Sequence, residues 1–213
     1  MRRAKATRID AKSALRLLVG LGNPGSRYEG TRHNVGFEAV DRLLRASGGR
    51  WKRATSTDMS AEIVLEGCPL TLLKPLTYMN LSGESVRAWV DRLAIGRSAV
   101  LVYLDDVALP LGRLRLRPGG SSGGHRGLQS VIDALHGEDF PRMRIGIHPE
   151  AALDRLEDFV LSRFSDEETK TVNQVLDRVV AATRTVLTEG LAKAQSLFNA
   201  AADPPSGASG PEP

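Results

Sequence analysis

Residues 18–34, LVGLGNPGSRYEGTRHN, place Gly20, Gly22 and Gly25 in the order G-x-G-x-x-G directly after an apolar run. That order is the dinucleotide-binding fingerprint, whose last glycines open a helix so that its N-terminal amides face a pyrophosphate. Here Pro24 removes a backbone donor where donors are needed. The residues that follow, SRYEGTRHN, are polar and broken by Gly30, so a helix begins late, near Asn34. The acid that should meet the ribose about 20 residues further on falls near Asp41, inside a helical pattern rather than at the end of a strand. The stretch therefore reads as a buried strand followed by a loop with other chemistry.

On either side of it, strand and helix patterns alternate. LRLLVGL (15–21) is a buried strand, and VGFEAVDRLLRAS (35–47) is an amphipathic helix closed by Gly48 and Gly49. SAEIVLEG (60–67) and PLTLLKP (69–75) are two short strands around a turn at Gly67. A helix over 81–95 with Ser82 as its N-cap, a buried strand over 99–107 and a strand over 112–117 come next. The glycine-dense loop PGGSSGGHRG then leads into the helix LQSVIDALHG, a strand over 142–148 and a helical end over roughly 166–200. The pattern predicts a single α/β domain over 15–200, with a mixed, centrally parallel twisted sheet and helices on both faces. It would carry a basic N-terminal extension, 1–14, and a disordered Pro/Gly/Ser tail, 201–213.

Composition narrows the class. The chain has 213 residues, 29 Lys plus Arg against 25 Asp plus Glu, and a net charge of +4, so a polyanionic partner competes with the plain reading of a solvated surface. Alternation in RLRLR puts Arg113, Arg115 and Arg117 on one face of a strand, suited to phosphates, and Arg126, Arg142 and Arg144 add to the basic set. No apolar run reaches the ~18 residues of a membrane span. The basic leader is followed by only a short apolar run, which opposes a secretory signal; a mitochondrial or plastid transit peptide stays open as an alternative, with Asp10 mildly against it. The single Cys68 excludes an internal disulfide and fits a cytoplasmic location.

In open α/β sheets, working groups gather at the carboxyl ends of the strands. Asn23 ends the first strand, His33 lies in the loop after it, Asp105 and Asp106 close the AVLVYL strand, and Asn80 precedes a helix. A neutral imidazole held by a carboxylate can take a proton from water, and amides can hold a developing oxyanion. Each has a plainer alternative: a helix-start histidine, a turn former before proline, or an N-cap. Gly120, Ser122 and Gly124 also fit G-x-S-x-G, but a nucleophile elbow needs a strand, a sharp turn and a helix. The four histidines, 33, 125, 136 and 148, show no paired ligand spacing, which argues against a metal enzyme.

VGLGNPGSRYEGTRHNVGF, KPLTYMNLSGESV, LDDVALPLGRLRLRPGGSSGGHRGLQSV and FPRMRIGI together resemble, in order and spacing, the bacterial-type peptidyl-tRNA hydrolase family over about residues 15–165. The resemblance implies an esterase that cleaves peptidyl-tRNA into peptide and tRNA without metal or cofactor, acting as a cytoplasmic monomer. A non-catalytic RNA-binding relative of the same fold is the alternative. By the same resemblance His33 is the general base and Asp105 orients it. Asn23 and Asn80 bind the peptide and the scissile ester, and Tyr28 and Tyr78 join the substrate-binding set. Arg117 and Arg144 match the positions that clamp the tRNA 5′-phosphate. Arg126 stands where the family carries Asn, and a longer, charged side chain there favours a phosphate contact.

Overall fold

Leu17–Gly20 is buried at every position and forms β1. The computed structural model of the chain describes residues 14–53, 56–148 and 155–200. The expected tail, and all but Ala14 of the expected extension, lie outside the described residues. After β1 come α1 (Val35–Ala46), β2 (Lys52–Arg53), β3 (Asp58–Leu65), β4 (Cys68–Pro75) and α2 (Ser82–Arg92). β5 (Val100–Pro110), β6 (Leu114–Arg117), α3 (Arg126–Leu135) and β7 (Arg142–His148) follow. The described chain ends with α4 (Leu156–Leu161), α5 (Asp166–Glu189) and α6 (Leu191–Phe198).

The strands form one sheet in the order β2-β3-β4-β1-β5-β7-β6. β4, β1, β5 and β7 run parallel, while β2, β3 and β6 are added antiparallel at the two edges. Alternate residues of the central strands enter two separate apolar cores. Leu18, Leu72, Leu101, Tyr103 and Met143 pack with α1 and α5. Leu17, Val19, Leu73, Val102 and Leu104 pack with α2 and α3. Cover on both faces is why these strands read as unbroken apolar runs.

The glycines of the opening stretch serve this packing. A Cβ on Gly20 would lie 2.2 Å from the Gly36 carbonyl oxygen, and one on Gly36 would lie 2.5 Å from the carbonyl oxygens of Leu21 and Tyr103. α1 thus rests on β1 and β5 backbone to backbone. Gly22 leaves room for the Phe37 ring in the same way.

Several boundaries differ from expectation. Ser82 is not the cap of α2 but its first residue, buried, with no side-chain capping bond. The 166–200 helix is two helices, because Gly190 adopts φ +91° and closes α5 on the carbonyls of Thr185 and Val186. α4 has no counterpart in the sequence pattern, and neither does the short β2. Among the described residues, no helix is long and apolar enough to cross a membrane.

Candidate active site

β1 ends at Gly20 beside Tyr103 of β5, which runs on to Pro110, and the polar residues after β1 and along this part of β5 open into a cleft of about 450 Å³. His33 enters from a 3₁₀ turn, Arg32–Asn34, that precedes α1. The turn is fixed on both sides. The Asn34 amide spans back to Asn23, accepting its N–H at 2.8 Å and donating to its carbonyl at 3.0 Å. Thr31 bridges to Arg163, and the Arg32 N–H donates to the Ser162 carbonyl.

Arg32 itself is only 6% exposed. Its guanidinium meets both carboxylate oxygens of Glu168 at 2.6 Å, donates to the Arg163 carbonyl and stands over the rings of Phe159 and Phe164. Glu168 also closes the capping box of α5 with Ser165. The neighbour of His33 is therefore tied directly to the first turn of α5.

Asp105 sits on the α1 face of β5, 3% exposed. One oxygen, Oδ1, meets His33 Nδ1 at 2.8 Å and His125 Nε2 at 2.9 Å. His125 is the N-cap of α3: its Nδ1 accepts the Leu128 N–H at 3.1 Å. That leaves His125 Nε2 to carry its proton toward Asp105, and a carboxylate likewise draws a proton onto His33 Nδ1. His33 then presents the lone pair of Nε2. Burial alone would raise the Asp105 carboxyl. The adjacent His125 and His33, by charge and by hydrogen bond, outweigh it and hold the group well below the usual carboxylate range.

Asp106 faces the other way. It accepts the Ala108 N–H at 2.9 Å and pairs with Arg144 at 3.0 Å, off the line of a hydrogen bond. Adjacent residues on a strand point to opposite faces, so Asp105 alone meets the imidazoles.

Asn23 is buried, with its Oδ1 spent on the Met79 N–H at 3.0 Å. Its Nδ2 remains as a donor at the cleft. Tyr28, Tyr78 and Asn80 line the same cleft, Tyr78 and Asn80 from the exposed rim, and Met79, Val107, Leu156, Val160 and Leu161 give it an apolar wall. Arg126, the first residue of α3, also lines it and pairs with Glu157 of α4.

The phosphate candidates separate. Arg144 lines the cleft, and its guanidinium lies where a Cβ on Gly123 would meet it at 2.8 Å. Arg117 is exposed on the edge strand, outside the cleft but on the same face, since β6 pairs Arg115 with Arg144. Arg142, counted with the basic set, is 1% exposed. It stacks on Phe140 and donates to the carbonyls of Gly120 and Glu138, so it anchors the glycine loop rather than facing an anion.

One sequence argument stands and one needs correction. The loop is no nucleophile elbow: Ser122 is buried, and Gly123 and Gly124 line the cleft instead. Histidine spacing concealed a cluster. The ligand-capable atoms of His33, Asp105 and His125 lie within 4.8 Å of one another, though each is engaged with another of the three by a hydrogen bond. The residue missed was His125. Its signal was a histidine between two glycine pairs and an amphipathic helix, the place of an N-cap.

The family model described as peptidyl-tRNA hydrolase matches residues 17–206. A peptidyl-tRNA hydrolase of Gloeobacter violaceus is 46% identical over 187 residues, 87% of this chain and 94% of that protein. One of Koribacter versatilis is 43% identical over 192 residues, 90% of this chain and 96% of that protein. The crystal structure of peptidyl-tRNA hydrolase from Acinetobacter baumannii superposes with a TM-score of 0.83 at 34% identity, covering 88% of this chain and 96% of that one. With a matching family model across most of its length, relatives of this identity and a common fold, the chain belongs to the peptidyl-tRNA hydrolase family.

Proposed function

We propose that this chain hydrolyses the ester joining the peptide to the 3′ end of peptidyl-tRNA, with His33 as general base. The observation that carries the reading is the His33–Asp105 hydrogen bond at 2.8 Å, which turns the free Nε2 of His33 to the cleft. His33 takes a proton from water, and the hydroxide adds to the ester carbonyl. Asp105 stays ionised and steadies the imidazolium. The Asn23 Nδ2 donates to the tetrahedral oxyanion. Collapse breaks the bond to the tRNA oxygen, which receives the proton held by His33. Peptide carboxylic acid and free tRNA result, and every atom comes from water and ester.

Asn80, Tyr28 and Tyr78 hold the peptide side, helped by the apolar wall. Arg144 and Arg117, on one face of the β6–β7 ladder, take tRNA phosphates, as does Arg126 at the start of α3. A cleft built within one chain supports a monomer, and the lone Cys68 supports a cytoplasmic location.

The test is cleavage of an N-blocked aminoacyl-tRNA by the purified protein beside His33→Ala. Turnover should fall about 10²-fold or more, the scale of losing a general base. An intact rate in the variant removes His33 from the chemistry. Binding of tRNA without any cleavage by the wild type would mark a non-catalytic relative.

A further inference from the structure

An acidic residue at the rim of a cleft that receives RNA calls for a physical reason. Glu157 is such a residue. It lies in the first turn of α4, beside Asp158, and its side chain is 72% exposed. Its carboxylate holds the guanidinium of Arg126, 73% exposed, and both line the cleft.

An exposed ion pair of this kind is weak, held together in water and screened by salt. It is therefore poorly suited to bracing α4 and well suited to exchange. We propose that Glu157 is a displaceable counter-ion: it occupies Arg126 in the empty cleft and yields it to a phosphate of the tRNA acceptor end. The inference rests on the reading of Arg126 as a phosphate contact. Glu157 makes that contact conditional. A nucleic acid held at several points pays for opening the pair with its other phosphate contacts, at Arg144 and Arg117. A small anion, with Arg126 as its only contact, must displace Glu157 unaided. The pair thus raises the discrimination between a whole acceptor end and a fragment of one.

The exchange has a signature in salt dependence. A phosphate that meets a bare arginine releases a condensed counter-ion, and each such contact adds about 0.7–0.9 to the slope of log K against log salt. When Arg126 is already paired, the phosphate must first displace Glu157, and salt weakens that pair too, so part of the loss of binding at this contact is offset as salt rises. Removing the Glu157 charge should therefore steepen the salt dependence, the reverse of what loss of a structural ion pair would do.

The experiment measures equilibrium binding of deacylated tRNA, from low to moderate salt, to the wild type, Glu157→Gln, Arg126→Ala and the double variant. KM for an N-blocked aminoacyl-tRNA is measured alongside. Glu157→Gln should bind about 2- to 5-fold more tightly at low salt, the range an exposed pair can withhold. Its slope should be steeper, by at most about 0.7–0.9. Both changes should vanish in the Arg126→Ala background. Unchanged or weaker binding by Glu157→Gln overturns the proposal and makes the pair a brace. So does a gain that persists without Arg126, which would be simple charge repulsion. Failure of the wild type to cleave the aminoacyl-tRNA would strike the hydrolase reading instead, because the tRNA-binding arms do not depend on turnover.

Discussion

One carboxylate oxygen organises the centre of the cleft, and the proposed chemistry with it: Asp105 Oδ1 receives both His33 and His125. Asp105→Asn removes the charge that steadies the imidazolium and offers the rings an amide in its place. It should lower kcat about 10²-fold or more. Asp106→Asn frees Arg144 instead, so its effect should appear mainly in KM and be much smaller in kcat. Steady-state kinetics of the two variants check this, and equal losses in kcat would mean that both acids serve the base. Strand alternation made it legible in advance that only one of the two acids can face the imidazoles, because adjacent side chains diverge, and the family resemblance picked the first. The place of His33, Asn23 and Asn80 at the cleft was legible for a similar reason: Asn23 stands where an apolar run gives way to a loop, and His33 and Asn80 stand just before a helix start. His125 was not. A glycine-dense loop has no periodicity from which a direction can be read, and an N-cap histidine is recognisable only once the start of α3 at Arg126 is known.

At the level of elements, the 3₁₀ turn that carries His33 is held from both ends of the chain. β1 and α1 meet backbone to backbone at Gly20 and Gly36, and Arg32 reaches across to the α5 cap. Arg32→Met would leave Glu168 without its guanidinium between two phenylalanines. We expect a loss of about 2–3 kcal/mol in chemical denaturation, below the figure for a fully buried pair because Glu168 keeps some contact with water. Glu168→Gln, which can still cap α5, should lose less. A neutral Arg32→Met would mean that the two rings alone hold the turn. The central strands and amphipathic helices were legible because both faces of the sheet are covered. α4 was not: none of its residues is buried, so no apolar face marks it, and six residues are too few for a helical period to declare itself. Ser82 misled for the opposite reason, since a favourable capping residue stands one position inside the helix it seemed to start.

Across the whole molecule, acidic groups held below their ordinary range set the response to pH. Asp105 is one. Glu168 is another: burial opposes its ionisation, but the Ser165 N–H and the Arg32 guanidinium more than compensate. A depressed folded-state value stabilises the fold above the unfolded-state value, about 4 for these groups. That contribution drains away as pH falls below it. The difference in unfolding free energy between wild type and Asp105→Asn should accordingly shrink as pH drops from about 5 to 3. A constant difference across that range would mean that Asp105 titrates alike in both states. The core on the α1 face has a further consequence, for how the protein is made. That core takes Val172, Val175, Val179 and Leu187 from α5, and the anchor of Arg32 is also in α5. A nascent chain cannot close it, nor seat the His33 turn, until synthesis has passed those residues. During its own translation the enzyme is itself a peptide esterified to tRNA, the very bond proposed as its substrate. Until α5 has been made, no growing chain carries a complete copy of the site that would act on that bond, and chains truncated after His148 should show no hydrolysis; activity in them would mean the site forms without α5.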